Sequence, residues 1–269
     1  MKIKGKTFLV TGGASGLGAA SVKALVEKGA SVGILDLNEE LGQGLAKQFG
    51  DRAIFSQCDV TSEEEVLAAI DAAVKRWPNQ KLGGVIHCGG IAMAGLTLQK
   101  DGEPFSLDTF RTIVEVNLVG SFNVCRLVAS HIARSYPPPS KPSEPNALDG
   151  PVDVLPGAVN EDRGVLILTS SVSYMDGQAG QTSYASSKGG VASLVLPLAR
   201  DLARFGIRAV AIAPSLFKVS RAALLRATEF PPRLGEAPEF AHLACAIVEN
   251  PMLNGTVIRI DGATRMGKL

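Results

Sequence analysis

Residues 7–37, "TFLVTGGASGLGAASVKALVEKGASVGILDL", leave few folds open. A short apolar run ends in glycines. A helical pattern follows, with Ala20, Leu25 and Val26 on one side, and a second apolar run closes the unit. Strand, helix and strand within about thirty residues make the crossover unit of a parallel sheet. The alternation then continues. "AIFSQCDV" reads as a strand, "SEEEVLAAIDAAVKRW" as a helix with an acidic first turn, and "GGVIHCGG" as a strand. "LDTFRTIVEVNLVGSFNVCRLVASHIARS" predicts a long helix, "GVLILTS" a strand, "QTSYASSKGGVASLVLPLARDLARFG" a second long helix and "IRAVAIAPS" a strand. "PEFAHLACAIVEN" predicts a late helix and "TVIRIDG" a last strand. Seven strands alternating with helices predict an open, doubly wound α/β sheet, with residues 1–269 as one domain.

One segment breaks the rhythm. "SYPPPSKPSEPNALDGPVDVLPG" holds seven of the fifteen prolines, too dense for helix or sheet interior, and reads as an exposed excursion at about 136–160. Composition narrows the partners. A formal net charge of +1 gives no electrostatic pull toward nucleic acid or an anionic membrane, so a small-molecule partner is expected. No apolar run is read as reaching transmembrane length. Cys58, Cys88, Cys125 and Cys245 lie far apart with no C-x-x-C, as expected of reduced core residues, and three scattered histidines suggest no metal site. "MKIKGKTFLV" enters a strand pattern at once, without the pattern of a cleaved leader, which points to the cytoplasm or the mitochondrial matrix.

"TGGASGLG" sets Gly12, Gly16 and Gly18 at G-x-x-x-G-x-G spacing, after a strand and before a helix. Small residues there let the backbone approach a pyrophosphate, and the helix N-terminus offers free N–H donors. Asp36 ends the second strand about twenty residues on, where a carboxylate accepts the adenosine ribose hydroxyls and repels a 2′-phosphate. No arginine or lysine adjoins it, which favours NAD over NADP. Asp59 ends the third strand, placed to receive the adenine amino group.

Tyr184 and Lys188 stand at i and i+4, on one helix face. A phenol with a pKa near ~10 is a poor base at neutral pH, and an ammonium beside it, joined by an oxidised nicotinamide, favours the phenolate. Lowering that pKa to about 7 takes about 4 kcal/mol, within reach of two nearby cations in a semi-enclosed cleft. Ser171 ends the fifth strand, where its hydroxyl can hold a substrate oxygen while the tyrosine moves the proton.

"TGGASGLG", Asn117 in "VEVNLVGSFNV", Ser171 and "YASSK" together resemble the short-chain dehydrogenase/reductase family over nearly the whole chain. "SVSYMDGQAGQTSYASSKGG", "LPLARDLARFGIR", "AIAPSLF" and "PPRLGEAPEFAHLACAIVENPMLNGTVIRIDGATRM" narrow the resemblance to the branch acting on 3-hydroxyacyl-CoA and hydroxysteroids. The resemblance implies a Rossmann-type fold, NAD as cofactor and interconversion of a secondary alcohol and a ketone. It implies Tyr184 as acid/base, Lys188 as its electrostatic partner and ribose ligand, and Ser171 as the group orienting the carbonyl. Asn117 would hold a proton-relaying water. Ser15, Leu17, Asp36, Asp59, Val60, Cys88, Gly90 and Phe217 would line NAD, and Gln178 would face the substrate. It also implies a homotetramer with long helices paired between subunits.

The chain departs from that pattern in three places. His87 stands where the family has an asparagine that ties strands together. Ser215 follows Pro214 where the family has glycine, which strains the chain if the backbone there needs a positive φ. Val219 occupies the place of a threonine expected to bind the nicotinamide amide, with Ser220 beside it, and the segment that forms the family's substrate lid is shorter. A redox enzyme with a trimmed lid is one reading. A relative with weak or no redox activity, using the pocket to bind a ligand or rearrange one, is the other.

Overall fold

The computed structural model describes residues 1–136, 161–218 and 228–265. The proline-rich segment lies, from residue 137 onward, outside the described residues, as do Val219 and Ser220. Seven strands form one sheet: β1 (Thr7–Thr11), β2 (Ser31–Asp36), β3 (Ala53–Gln57), β4 (Leu82–His87), β5 (Gly164–Thr169), β6 (Ile207–Pro214) and β7 (Val257–Ile260). Their order is β3-β2-β1-β4-β5-β6-β7, and every neighbouring pair is parallel. This is the doubly wound α/β sheet that the alternation predicts.

Parallel strands covered on both faces are apolar almost throughout. β1, β4, β5 and β6 are buried along their whole length. Within them the side chains alternate between two cores. Leu9, Leu35, Val85, Leu166 and Leu168 join one core, with Val66 and Ile70 of α3 (Glu63–Arg76), Val124 and Val128 of α5 (Gly120–Arg134), and Val191 and Val195 of α7 (Thr182–Leu202). Phe8, Val10, Val32, Ile34, Ile86 and Ile167 join the other, with Val22 and Leu25 of α1 (Gly16–Glu27), Ala46 of α2 (Glu39–Phe49), and Phe240 and Ile247 of α8 (Ala237–Glu249). Helix starts follow local chemistry. Ser62 accepts from the Glu65 N–H at the head of α3, whose first turn carries three glutamates. Glu236 and Glu239 close a capping box on α8.

Three details differ from the sequence reading. α2, whose N-cap Asn38 accepts from the Leu41 N–H, is a helix the apolar pattern does not single out. The predicted helix over 107–135 is interrupted. α4 (Leu107–Val114) passes through a turn of π-helix, Glu115–Val119, before α5 begins. The run Leu107–Arg134 also has the length and apolarity of a membrane span, contrary to the expectation that no run does. Its apolarity serves the sheet face, since 56% of the most apolar window is buried inside the fold.

Arg208 on β6 holds the far end of α8. It is 6% exposed, pairs with Asp162 through Nε and Nη2 at 3.0 Å each, and donates to the carbonyls of Ile247, Val248, Asn250 and Leu253. The terminal carbonyls of a helix need such donors. Arg208→Met keeps the stem but removes the guanidinium from Asp162 and from those carbonyls, leaving Asp162 and the Val248 carbonyl with the Met1 ammonium. The expected cost is about 3–5 kcal/mol, read as a lower midpoint in urea unfolding. Asp162→Asn, which keeps an acceptor for the guanidinium, is expected to cost less in the same measurement.

Candidate active site

The carboxyl ends of the strands open into one cavity of about 760 Å³. Its walls include Gly12, Ser15, Gly16, Leu17, Gly18, Asp36, Asp59, Val60, Cys88, Gly90, Ser171, Tyr184, Lys188 and Phe217. Fourteen residues singled out by the sequence thus face one space. Asn117 and Gln178 are not in those walls. Asn117 is fully buried behind them, and Gln181 lines the cavity instead of Gln178.

At one end the backbone is packed too closely for side chains. Gly12 has φ +58°, and a Cβ on it would lie 2.9 Å from the Cys88 carbonyl carbon. A Cβ on Gly18 would strike the Gly12 carbonyl oxygen. These glycines draw the start of α1 against the end of β1 and leave its N-terminus facing the cavity. Asp36 is pinned at the rim, its Oδ2 accepting from Ala14 N–H and its Oδ1 from Asn38 N–H, each at 3.0 Å. Asp59 Oδ1 accepts from the Thr61 N–H and hydroxyl, while Glu65 receives the Asp59 N–H at 2.7 Å. Asn123 on α5 fixes the next residue by donating to the Val60 carbonyl at 3.0 Å. Across the cavity Phe217 is 3% exposed and pairs through its backbone with Gly235.

The other end holds Ser171, Tyr184 and Lys188. Lys188 is 6% exposed, and its ammonium donates to the Thr169 carbonyl at 2.9 Å and lies 5.8 Å from the centre of the Tyr184 ring. Burial pulls its pKa down to about 8. Burial likewise raises the Tyr184 phenol above its ordinary value, opposed by a hydrogen bond from Ser171. The phenol is therefore not made acidic by Lys188 within the protein alone, because desolvation disfavours both charged forms. Ser171 Oγ also accepts, at 3.2 Å, from the N–H of Ser173, the first residue of the short helix α6 (Ser173–Asp176), which orients it.

Behind this trio Asn117 ties three segments together. Its Oδ1 accepts from Ile91 N–H at 2.8 Å, and its Nδ2 donates to the Ile91 carbonyl at 2.8 Å and to Ser187 Oγ at 3.0 Å. Ser187 in turn donates to the Tyr184 carbonyl at 2.8 Å. Asn117 sits within the π-helical turn, a local widening often found at functional sites. Ser170 donates to the Lys188 carbonyl at 2.8 Å. The sequence reading passed over Thr169, Ser170 and Ser187. Their signal was positional: two precede Ser171 at the end of β5, and the third precedes Lys188.

The departures resolve in part. Ser215 is not strained: among the described residues Ala263 alone is a non-glycine with positive φ. Its Oγ is buried without a hydrogen-bond partner, while its N–H donates to Ile260. His87 takes over a strand tie, its Nδ1 lying 2.8 Å from Thr11 Oγ1, which also accepts from Gly89 N–H. Its Nε2 is buried without a partner. The four cysteines are free, and burial pushes their thiols up, Cys88 and Cys245 to about 11 and Cys58 and Cys125 to about 12.

A glycine-lined cradle under a helix N-terminus, beside a Ser–Tyr–Lys trio on the same parallel sheet, defines an oxidoreductase of the dinucleotide-binding class. The chain belongs to the short chain dehydrogenase family, whose model matches residues 6–136 and 150–229. It is 41% identical to 3-hydroxyacyl-CoA dehydrogenase type-2 of Homo sapiens over 98% of its length and 97% of that protein, and 42% identical to the Drosophila melanogaster protein of the same name over 98% and 99%. The crystal structure of 3-hydroxyacyl-CoA dehydrogenase type-2 from Mycobacterium avium superposes with a TM-score of 0.86 at 38% identity, covering 99% of both chains.

His87 generates a pH prediction. Burial first, and Lys188 second, lower its pKa to about 3 from an unfolded value near ~6.5. The unfolded chain therefore takes up a proton that the folded chain refuses as pH falls below about 6.5. Stability drains at up to about 1.4 kcal/mol per pH unit down to about 3. His87→Asn, which restores the family's residue, is expected to lose this component. Urea midpoints across pH 4–7 should fall less steeply for the variant than for the unaltered protein.

Proposed function

We propose that the protein is an NAD-dependent dehydrogenase that interconverts a secondary alcohol and a ketone, with a 3-hydroxyacyl-CoA as substrate. The observation that carries this is the shared cavity, which sets Ser171, Tyr184 and Lys188 at one end and Asp36 with the glycine loop at the other. The residues fit a nicotinamide dinucleotide. The Gly12–Gly18 cradle leaves room for a pyrophosphate at the head of α1, and the Asp36 carboxylate, held by two backbone donors, suits ribose hydroxyls and opposes a 2′-phosphate. The names of the relatives support the hydroxyacyl substrate.

When bound, the nicotinamide supplies the hydride acceptor and a positive charge. The remaining work falls to the chain. Ser171 Oγ, oriented by the Ser173 N–H, holds the substrate oxygen. Tyr184 takes the hydroxyl proton during oxidation and returns it during reduction. Lys188, held out of water by Thr169, concentrates its charge on the phenol, where a low dielectric strengthens it. Asn117 keeps the helix carrying the pair in register with Ile91 on the opposite wall. Exposed Val119, Phe122 and Leu196 on the helices over one sheet face support assembly as a homotetramer.

Tyr184→Phe is expected to lower turnover of 3-hydroxybutyryl-CoA by about 10²–10⁴-fold while leaving NADH binding by fluorescence titration intact. Asp36→Ala is expected to raise the KM for NAD and narrow its preference over NADP. Cofactor binding without turnover in the unaltered protein, unchanged by Tyr184→Phe, would instead favour the non-redox relative.

A further inference from the structure

We infer that Gln181 determines specificity by donating a hydrogen bond to a carbonyl oxygen two carbons from the reacting carbon, and so selects 3-hydroxyacyl thioesters over plain secondary alcohols. The inference rests on the dehydrogenase reading above. Gln181 is half-buried, lines the cavity and stands at the N-cap of α7. Its side chain does not cap its own helix. Instead Oε1 accepts from the Gln178 N–H at 3.0 Å, while the Gln181 N–H donates back to the Gln178 carbonyl at 3.1 Å.

That reciprocal pair fixes the amide. The Gln178 N–H requires an acceptor, so the oxygen branch is committed to the backbone and the Nε2 branch keeps two donors. Among the described residues no acceptor takes them.

Position supplies the rest. Gln181 lies three residues before Tyr184, so their Cβ atoms are about 5–6 Å apart on one face. A substrate whose reacting oxygen rests on Ser171 and Tyr184 brings the next polar atom along its chain to Gln181. In a 3-hydroxyacyl thioester that atom is the thioester carbonyl oxygen, a pure acceptor facing a pure donor. The nearby walls, Ile91, Ala92, Met93 and Val172, are apolar and suit the acyl chain. A plain alcohol offers Gln181 nothing.

The test compares oxidation of 3-hydroxybutyryl-CoA with that of butan-2-ol. Gln181→Glu keeps an oxygen for the Gln178 N–H and removes both donors. Gln181→Met is neutral, and separates loss of the donors from added charge. Both variants are expected to lower kcat/KM for the thioester about tenfold, mainly through KM, and to change that for butan-2-ol by less than about twofold. Unchanged NADH binding checks that the variants are folded. An equal fall on both substrates, or none on the thioester, overturns the role of Gln181 alone. Oxidation of butan-2-ol but not the thioester by the unaltered protein overturns the hydroxyacyl reading, and this inference with it.

Discussion

Every strand in the sheet runs the same way, and that single constraint gathers the chemistry. Parallel strands force each connection to cross the sheet and return, so all the loops that follow strands emerge at one edge. Thr11, Asp36, His87, Thr169 and Pro214 are the last residues of five neighbouring strands, and the functional groups stand on them or within a few residues beyond. The strand order turns back between β1 and β4, the place where loops diverge and a crevice opens in such sheets. Gly12 leaves one bank of that crevice and Cys88 the other, in van der Waals contact.

The second constraint is a buried ammonium. Taking Lys188 out of water is costly, and its ammonium donates to the Thr169 carbonyl. The surrounding bonds resist the movement that would rehydrate it: Ser170 on its carbonyl, and Asn117 through Ser187 to the carbonyl of Tyr184. The result is a lysine that releases its proton far more readily than one in water, next to a phenol that resists ionisation. Under the proposed function, such a pair would exchange a proton once a substrate oxygen and a cationic ring add their own fields.

How much of this was written in the sequence depends on what kind of signal each part leaves. The sheet was legible because buried parallel strands are short apolar runs bounded by glycine and polar residues, and all seven stand where those runs do. The glycine loop and the Tyr184–Lys188 pair were legible because backbone approach and helical spacing leave fixed intervals. The π-helical turn at Asn117 was not, since one extra residue per turn leaves the apolar pattern almost unchanged. Nor was the place of Gln181 in the cavity wall, because a short irregular turn, closed by its own side chain, sets it there. The upward pull of burial on the Tyr184 phenol was not legible for a related reason: spacing reveals a neighbouring charge but not how much water both groups lose.

The loop after β4 is stapled to the stretch that opens α7. The Gly95 N–H donates to the Gly180 carbonyl at 2.8 Å, Thr97 and Thr182 meet through their hydroxyls at 3.3 Å, and the Phe105 ring lies against Gly95. Whoever sets out to retarget this enzyme inherits that staple. Enlarging the Ile91–Ala94 bank would drag the first turn of α7, and the Tyr184 phenol with it. The other bank, at Pro214–Leu216, is tied in turn to the Ser171 loop, the Val172 N–H donating to the Pro214 carbonyl at 3.0 Å, so both walls carry a change in shape toward the centre of the site.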